Sequence, residues 1–219
     1  MSVFPKPNQN ANKKIDEDDT SEPLPESIWE GSRVRLRSIE PADWPAFFAW
    51  NQDSETARRL NYISFPTSQE SVKRWAEKLA LQEESGDRFF FVIETLEGEI
   101  VGSITAHSCE PHQGTFAYGI GIRQECQRKG YASEAILLLL RYFFQELRYQ
   151  KVTVDVYSFN EPSVRLHEKL GYQLEGKLRR MIFTKGKLFD KLIFGMTAEE
   201  FVERYSSNGW QPEALDEDD

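Results

Sequence analysis

The chain has 219 residues, 39% hydrophobic and 13% aromatic, which is enough for one sizeable core and too little for two. Its formal charge of -9 resides at the ends: residues 1–32 carry 3 bases against 7 acids, residues 206–219 carry 5 acids and no base, and 24 of each sign remain between them. A body without net positive charge argues against nucleic acid as a partner, two cysteines make no disulfide framework, and the longest apolar run, Ala135 to Leu140, is too short to span a bilayer, so a cytoplasmic protein without membrane contact is expected.

Residues 1–28 are rich in Pro, Asn, Ser and acids and are expected to be a disordered acidic lead-in, with 206–219 a similar tail and 29–205 the folded domain. Arg33 to Ser38 alternates Val34 and Leu36 with arginines and predicts a half-buried strand. Pro41 opens a helix with Trp44, Phe47 and Phe48 at helical spacing, and a second helix from about Ser68 places Val72, Trp75, Ala76 and Leu79 on one face. Arg88 to Thr95 and Glu99 to Ser108 read as a hairpin, and Thr115 to Ile122 as a third strand beside them. A long helix follows from about Gly130 to Leu147, then a strand with Val152, Val154 and Val156 on one side. A short helix from Glu161 begins after Asn160, carries Pro162 in its first turn and ends at Gly171. Two last strands, about Tyr172 to Thr184 and Lys187 to Met196, turn at Lys185 and Gly186. The fold class is α/β: a mixed, mostly antiparallel sheet of about six or seven strands flanked by about four helices.

The stretch GIGIRQECQRKGYASEA, Gly119 to Ala135, runs from an apolar strand through a polar loop into a helix. Such a junction suits an anion, because the first N–H groups of a helix lack an intrahelical acceptor and the helix dipole adds positive potential. Gly130 and Ala132 keep side chains out of the way of an approaching phosphate, while Arg128 and Lys129 add charge. Neither the P-loop nor the Rossmann glycine pattern fits: no Gly-Lys-Ser/Thr ending exists, and Gln124 stands where a third glycine belongs.

Here the chain resembles the GNAT acetyltransferase superfamily, and within it the branch similar to the ribosomal-protein acetyltransferases RimJ and RimL. Gln127, Arg128, Lys129, Gly130, Tyr131 and Ala132 match the family's pyrophosphate loop, Gln/Arg-x-x-Gly-x-Gly/Ala. NEPSVRLHEKLGY, Asn160 to Tyr172, is similar to its second signature, and Glu175 to Met196 resembles the paired C-terminal strands of that branch. The resemblance spans about residues 33–204 and implies acetyl-CoA as co-substrate, no metal, and a sheet splayed between its fourth and fifth strands to receive the pantetheine arm. A backbone N–H near Ile120 or Ile122 would then polarise the thioester carbonyl. Asn160 and Ser163 would touch the cofactor, and His167 would stand where relatives carry the tyrosine that protonates the departing thiolate.

One departure matters. Many relatives carry a carboxylate one or two residues ahead of the glycine in the fourth strand, where this chain has Ala117 and Tyr118. The base is therefore open among Asp155, Glu94 and His107 acting through water. His107, Cys109 and His112 lack an evident fourth zinc ligand, and Cys126 reads as a small neighbour of the loop in preference to a nucleophile. The expected activity is acetyl transfer to a primary amine, either a protein N-terminus or a small molecule such as a polyamine, by a monomer or homodimer. Alternatives are acetylation of a drug, an amino acid or an aminoacyl-tRNA, or an acyl-CoA-binding interaction module without turnover.

Overall fold

A computed structural model describes residues 27–60, 63–81 and 87–205. The acidic tail and all of the lead-in except Ser27 and Ile28 lie outside the described residues. Among the described residues seven strands form one sheet in the order β1-β2-β3-β4-β5-β7-β6, with β1 Val34–Ser38, β2 Phe89–Thr95, β3 Ile100–Glu110, β4 Thr115–Ile122, β5 Lys151–Tyr157, β6 Gln173–Thr184 and β7 Lys187–Thr197. Every neighbouring pair is antiparallel except β4 and β5, which are parallel because α4 crosses between them.

Among the described residues six α-helices flank the sheet, where about four were expected: α1 Trp44–Asn51, α2 Ser54–Leu60, α3 Gln69–Ala80, α4 Tyr131–Arg141, α5 Glu161–Lys169 and α6 Ala198–Tyr205. One face of the sheet packs α4, α5 and α6 through Val34, Leu36, Phe116, Tyr118, Val152, Val154 and Val156; the other packs α1 and α3 through Ile39, Phe47, Val72, Ala76 and Val92. The long helix is shorter than its apolar stripe. After Arg141 the chain makes a wider π-type turn over Tyr142–Glu146, in which Leu147 N–H donates to the Tyr142 carbonyl. That turn buries Phe143 and Phe144 together and stacks Phe143 on Phe116. Among the described residues no helix is long and apolar enough to cross a membrane.

The N-terminal approach to β1 is held by one buried carboxylate. Glu134, in the first turn of α4, accepts from Ser32 N–H (2.8 Å), Ser32 Oγ–H (2.9 Å), Arg33 N–H (2.9 Å) and Val34 N–H (2.9 Å). With four donors around it, the charge is compensated even though Glu134 is only 2% exposed. The clamp fixes the residues before β1 against the start of α4, which positions the site described next.

Candidate active site

Between β4 and α4 the chain makes a short 3-10 turn, Gln124–Cys126, then places Arg128 (φ 62°) and Gly130 (φ 77°) in left-handed backbone. Gly130 opens α4 without any side-chain cap, and the helical ladder starts with Glu134 N–H donating to the Gly130 carbonyl at 3.1 Å. The N–H groups of Tyr131, Ala132 and Ser133 therefore have no acceptor within the helix, and Arg128 and Lys129 stand exposed beside them. These donors and the two cations together give the turn positive potential. The left-handed φ of 77° is what favours glycine here, since it strains any residue with a side chain, and Arg33 packs over the same position. A Cβ on Gly130 would collide with the guanidinium of Arg33, whose Nη1 donates to the Lys129 carbonyl at 3.4 Å.

Next to this turn the sheet opens. Parallel β4 and β5 pair only at Thr115 with Lys151 and Phe116 with Val152, and no ladder continues beyond. Arg123 N–H donates to the Val101 carbonyl, so Arg123 is a hydrogen-bonded partner of β3 in the β4 register, as are Gly121 and Gly119 by alternation. Tyr118, Ile120 and Ile122 consequently turn their backbone groups away from β3 toward the opening. Gln127 Nε2 occupies one of these groups, donating to the Ile122 carbonyl at 3.2 Å and tying the loop to the end of β4.

A cavity of about 260 Å³ runs through the opening. On the α5 side it is lined by Tyr118, Ile120, Val154, Val156, Asn160, Ser163 and His167; on the α2 side by Arg59, Leu60, Ser103, Thr105, Gly119, Gly121, Asp155 and Tyr157. The cavity therefore connects two faces of the sheet, so that two reactants could meet from opposite sides. Ile120, Asn160, Ser163 and His167 are brought together here; Ile122 and Gln127 to Ala132 are not part of the lining and follow it along the chain, from the end of β4 to the start of α4.

Asn160 precedes α5 but its side chain makes no capping hydrogen bond, although its sequence position suggests a cap. His167 is 2% exposed. Its Nδ1 lies 2.7 Å from the Ser163 carbonyl and its Nε2 3.1 Å from the Tyr118 hydroxyl, which is in turn 2.9 Å from the Tyr172 hydroxyl. Burial lowers the His167 pKa from its ordinary 6.5, against a smaller raising effect of the Ser163 carbonyl. Burial likewise pushes the Tyr118 and Tyr172 hydroxyls far up.

The three carboxylate or imidazole groups considered as bases are dispersed. Asp155 lines the cavity and pairs with Lys191 at 3.0 Å. Glu94 lies on β2, bound by Arg35 and Arg37, where burial works to raise its carboxyl but the two guanidiniums together hold it below the usual range. His107 does not line the cavity; its Nδ1 sits 3.1 Å from Ser108 Oγ, and burial lowers its pKa. Cys126 is buried, and that burial raises its thiol pKa, which disfavours a nucleophilic thiolate. Among the described residues no three His, Cys, Asp or Glu side chains stand close enough to hold a metal ion. Sequence reasoning missed Arg33, Glu134, Tyr172 and the whole of α2; for Tyr118 the signal was its place directly before Gly119.

A mixed sheet that opens beside a cavity and is followed by a glycine-capped helix start is a fold shared with solved acetyltransferases. The chain belongs to the GNAT acetyltransferase family, whose acetyltransferase (GNAT) domain model matches residues 33–173. It is 43% identical over 175 residues to the SPbeta prophage-derived uncharacterized N-acetyltransferase YokL of Bacillus subtilis (strain 168), covering 80% of this chain and 96% of that protein. It is 19% identical over 161 residues to the L-amino acid N-acetyltransferase AaaT of Escherichia coli (strain K12), covering 73% and 94%. The crystal structure of spermidine N-acetyltransferase from Vibrio cholerae in complex with CoA and spermine shares the fold, with a TM-score of 0.68 at 21% identity over 78% of this chain and 99% of that one. The protein is thus an N-acetyltransferase, of a family that uses acetyl-CoA.

Proposed function

We propose that the protein moves the acetyl group of acetyl-CoA onto a primary amine by direct attack on the thioester, within a RimJ/RimL-like branch of the family and in the cytoplasm. One observation carries the reading: β4 and β5 pair at two positions and then separate beside a helix start whose donors are unused. The residues present fit the co-substrate. The N–H groups of Tyr131 and Ala132, with Gln127, Arg128, Lys129 and Gly130, form the diphosphate turn, and Arg33 adds a cation from outside the motif. The backbone of Ile120 and Ile122 offers an extended edge to the amide-bearing arm, with Asn160 and Ser163 on the facing helix. An N–H of the same edge, at Ile122 or Ile120, donates to the developing oxyanion.

The acceptor enters from the α2 side, where Arg59, Asp155 and Tyr157 provide the polar lining. A protein N-terminus, a polyamine or an amino acid is the acceptor class; the similarity to AaaT supports a small amine among them. Release of free thiol from acetyl-CoA, followed across a panel of peptides, polyamines, amino acids and aminoglycosides, tests the reading. Acetyl-CoA binding without thiol release on any of them would favour an interaction module instead.

A further inference from the structure

We propose that Tyr118 and His167 form the proton relay of the transfer, with Tyr118 meeting the reacting atoms and His167 holding the proton in transit. The inference rests on the acetyl-transfer reading above and supplies the base that Ala117 and Tyr118 leave without a carboxylate. A carbonyl oxygen can only accept, so the 2.7 Å contact to Ser163 fixes the proton of His167 on Nδ1. Nε2 is then a bare acceptor, and the Tyr118 hydroxyl at 3.1 Å is the donor that reaches it. Tyr172, 2.9 Å away, donates to the Tyr118 oxygen in the same sense. Both Tyr118 and His167 line the cavity, whereas Tyr172 stands behind them.

That polarity suits a neutral amine attacking the thioester carbon. As the C–N bond forms and the carbonyl electron pair moves to oxygen, the N–H proton passes to the Tyr118 oxygen and the Tyr118 proton passes to Nε2. As the carbonyl re-forms and the C–S bond breaks with its pair going to sulfur, Nε2–H returns its proton to Tyr118, whose own proton goes to sulfur. The amine proton ends on the thiol, and both side chains are restored. Tyr118 never exists as a phenolate, which its burial would penalise. A buried imidazolium is a stronger acid than a thiol of about 8.5, so the second hop runs downhill. The groups facing His167 are Tyr118 from β4, Tyr172 after α5, the Ser163 carbonyl from its own helix and the Phe194 ring from β7 at 5.9 Å; Tyr205 of α6 acts on the two tyrosines. None is charged at neutral pH, and Asp155 points to the opposite side of the sheet.

The test compares Tyr118→Phe, His167→Gln and Tyr172→Phe with the wild type through the pH profile of kcat/KM for the amine, alongside imidazole-nitrogen NMR of the protein alone. For the wild type, amine and imidazole must both be unprotonated, so log kcat/KM falls with a slope of about two below the lowered His167 pKa. Tyr118→Phe and His167→Gln should lose about 100-fold in kcat and show a slope of about one, with KM for acetyl-CoA nearly unchanged. Tyr172→Phe should keep the steeper slope, and wild-type NMR should report the Nδ1–H tautomer. A Tyr118→Phe enzyme that retains wild-type kcat or the steeper slope overturns the relay and leaves acetyl transfer standing. Should the variants fail to fold, a proton found on Nε2 in the wild type overturns it, and a bare Nε2 supports it. Wild-type failure to release thiol with every amine removes the acetyl-transfer reading, and the relay with it.

Discussion

Glu134→Gln keeps the shape of the side chain but removes its charge and one of its two acceptor oxygens. The carboxylate takes two donors on each oxygen: Ser32 N–H and Oγ–H on one, Arg33 and Val34 N–H on the other. An amide satisfies one pair and turns an NH2 group toward the second. Two hydrogen bonds to a charged acceptor are worth about 1.5–3 kcal/mol each. Part of this is recovered if the Ser32 hydroxyl rotates to accept from the amide, so the net loss should be about 3 kcal/mol. Urea unfolding followed by tryptophan fluorescence, with a slope of about 2 kcal/mol per molar, would place the midpoint about 1.5 M lower. Because Arg33 leans over Gly130 from the clamped segment, KM for acetyl-CoA should rise as well. A midpoint within about 0.5 M of the wild type would show that water already serves these donors and that the clamp does not hold β1 to α4.

The Glu94 carboxyl sits low in the folded chain, so its contribution is present above the unfolded value near 4.5 and disappears as pH falls through the lower folded value. Glu94→Gln should therefore cost about 2 kcal/mol at pH 7, with the difference closing below about pH 4 in urea titrations run across that range; Arg37 retains Asp43, which limits the loss. Asn160→Ala removes no capping bond, so its stability change should stay under about 0.5 kcal/mol while the KM for acetyl-CoA increases several-fold, a split read from paired unfolding and kinetic measurements.

Local signals carried much of the fold. β4 was placed residue for residue, since apolar alternation stops at Gly114 on one side and at the polar loop on the other. The start of α5 was legible from Asn160 and Pro162, and its end from Gly171 in left-handed backbone at φ 89°. α2 was not, because SETARRL has no apolar stripe; its terminal Leu60 closes over Gly121, a contact invisible without the sheet. The stripe from Ile136 to Leu147 has one period throughout, yet the hydrogen bonding widens at Tyr142, where packing of Phe143 and Phe144 outweighs helical regularity.

The loop Gln127 to Ala132, proposed as the diphosphate turn, was legible as a strand-to-helix junction because it is contiguous in sequence. The partners that fix it were not. Arg33 and Glu134 meet about a hundred residues apart, and Tyr118 and His167 are 49 apart, so only the folded sheet brings them together. Asn160 shows the opposite failure: its position announces a cap, but its side chain stands at the cavity without capping the helix.

The most direct test is amide hydrogen exchange, residue by residue, with and without CoA. Binding in the diphosphate turn and the split sheet should slow exchange at Tyr131, Ala132 and Ser133 together with Ile120 and Ile122. CoA that binds while leaving both groups of amides unchanged would contradict it.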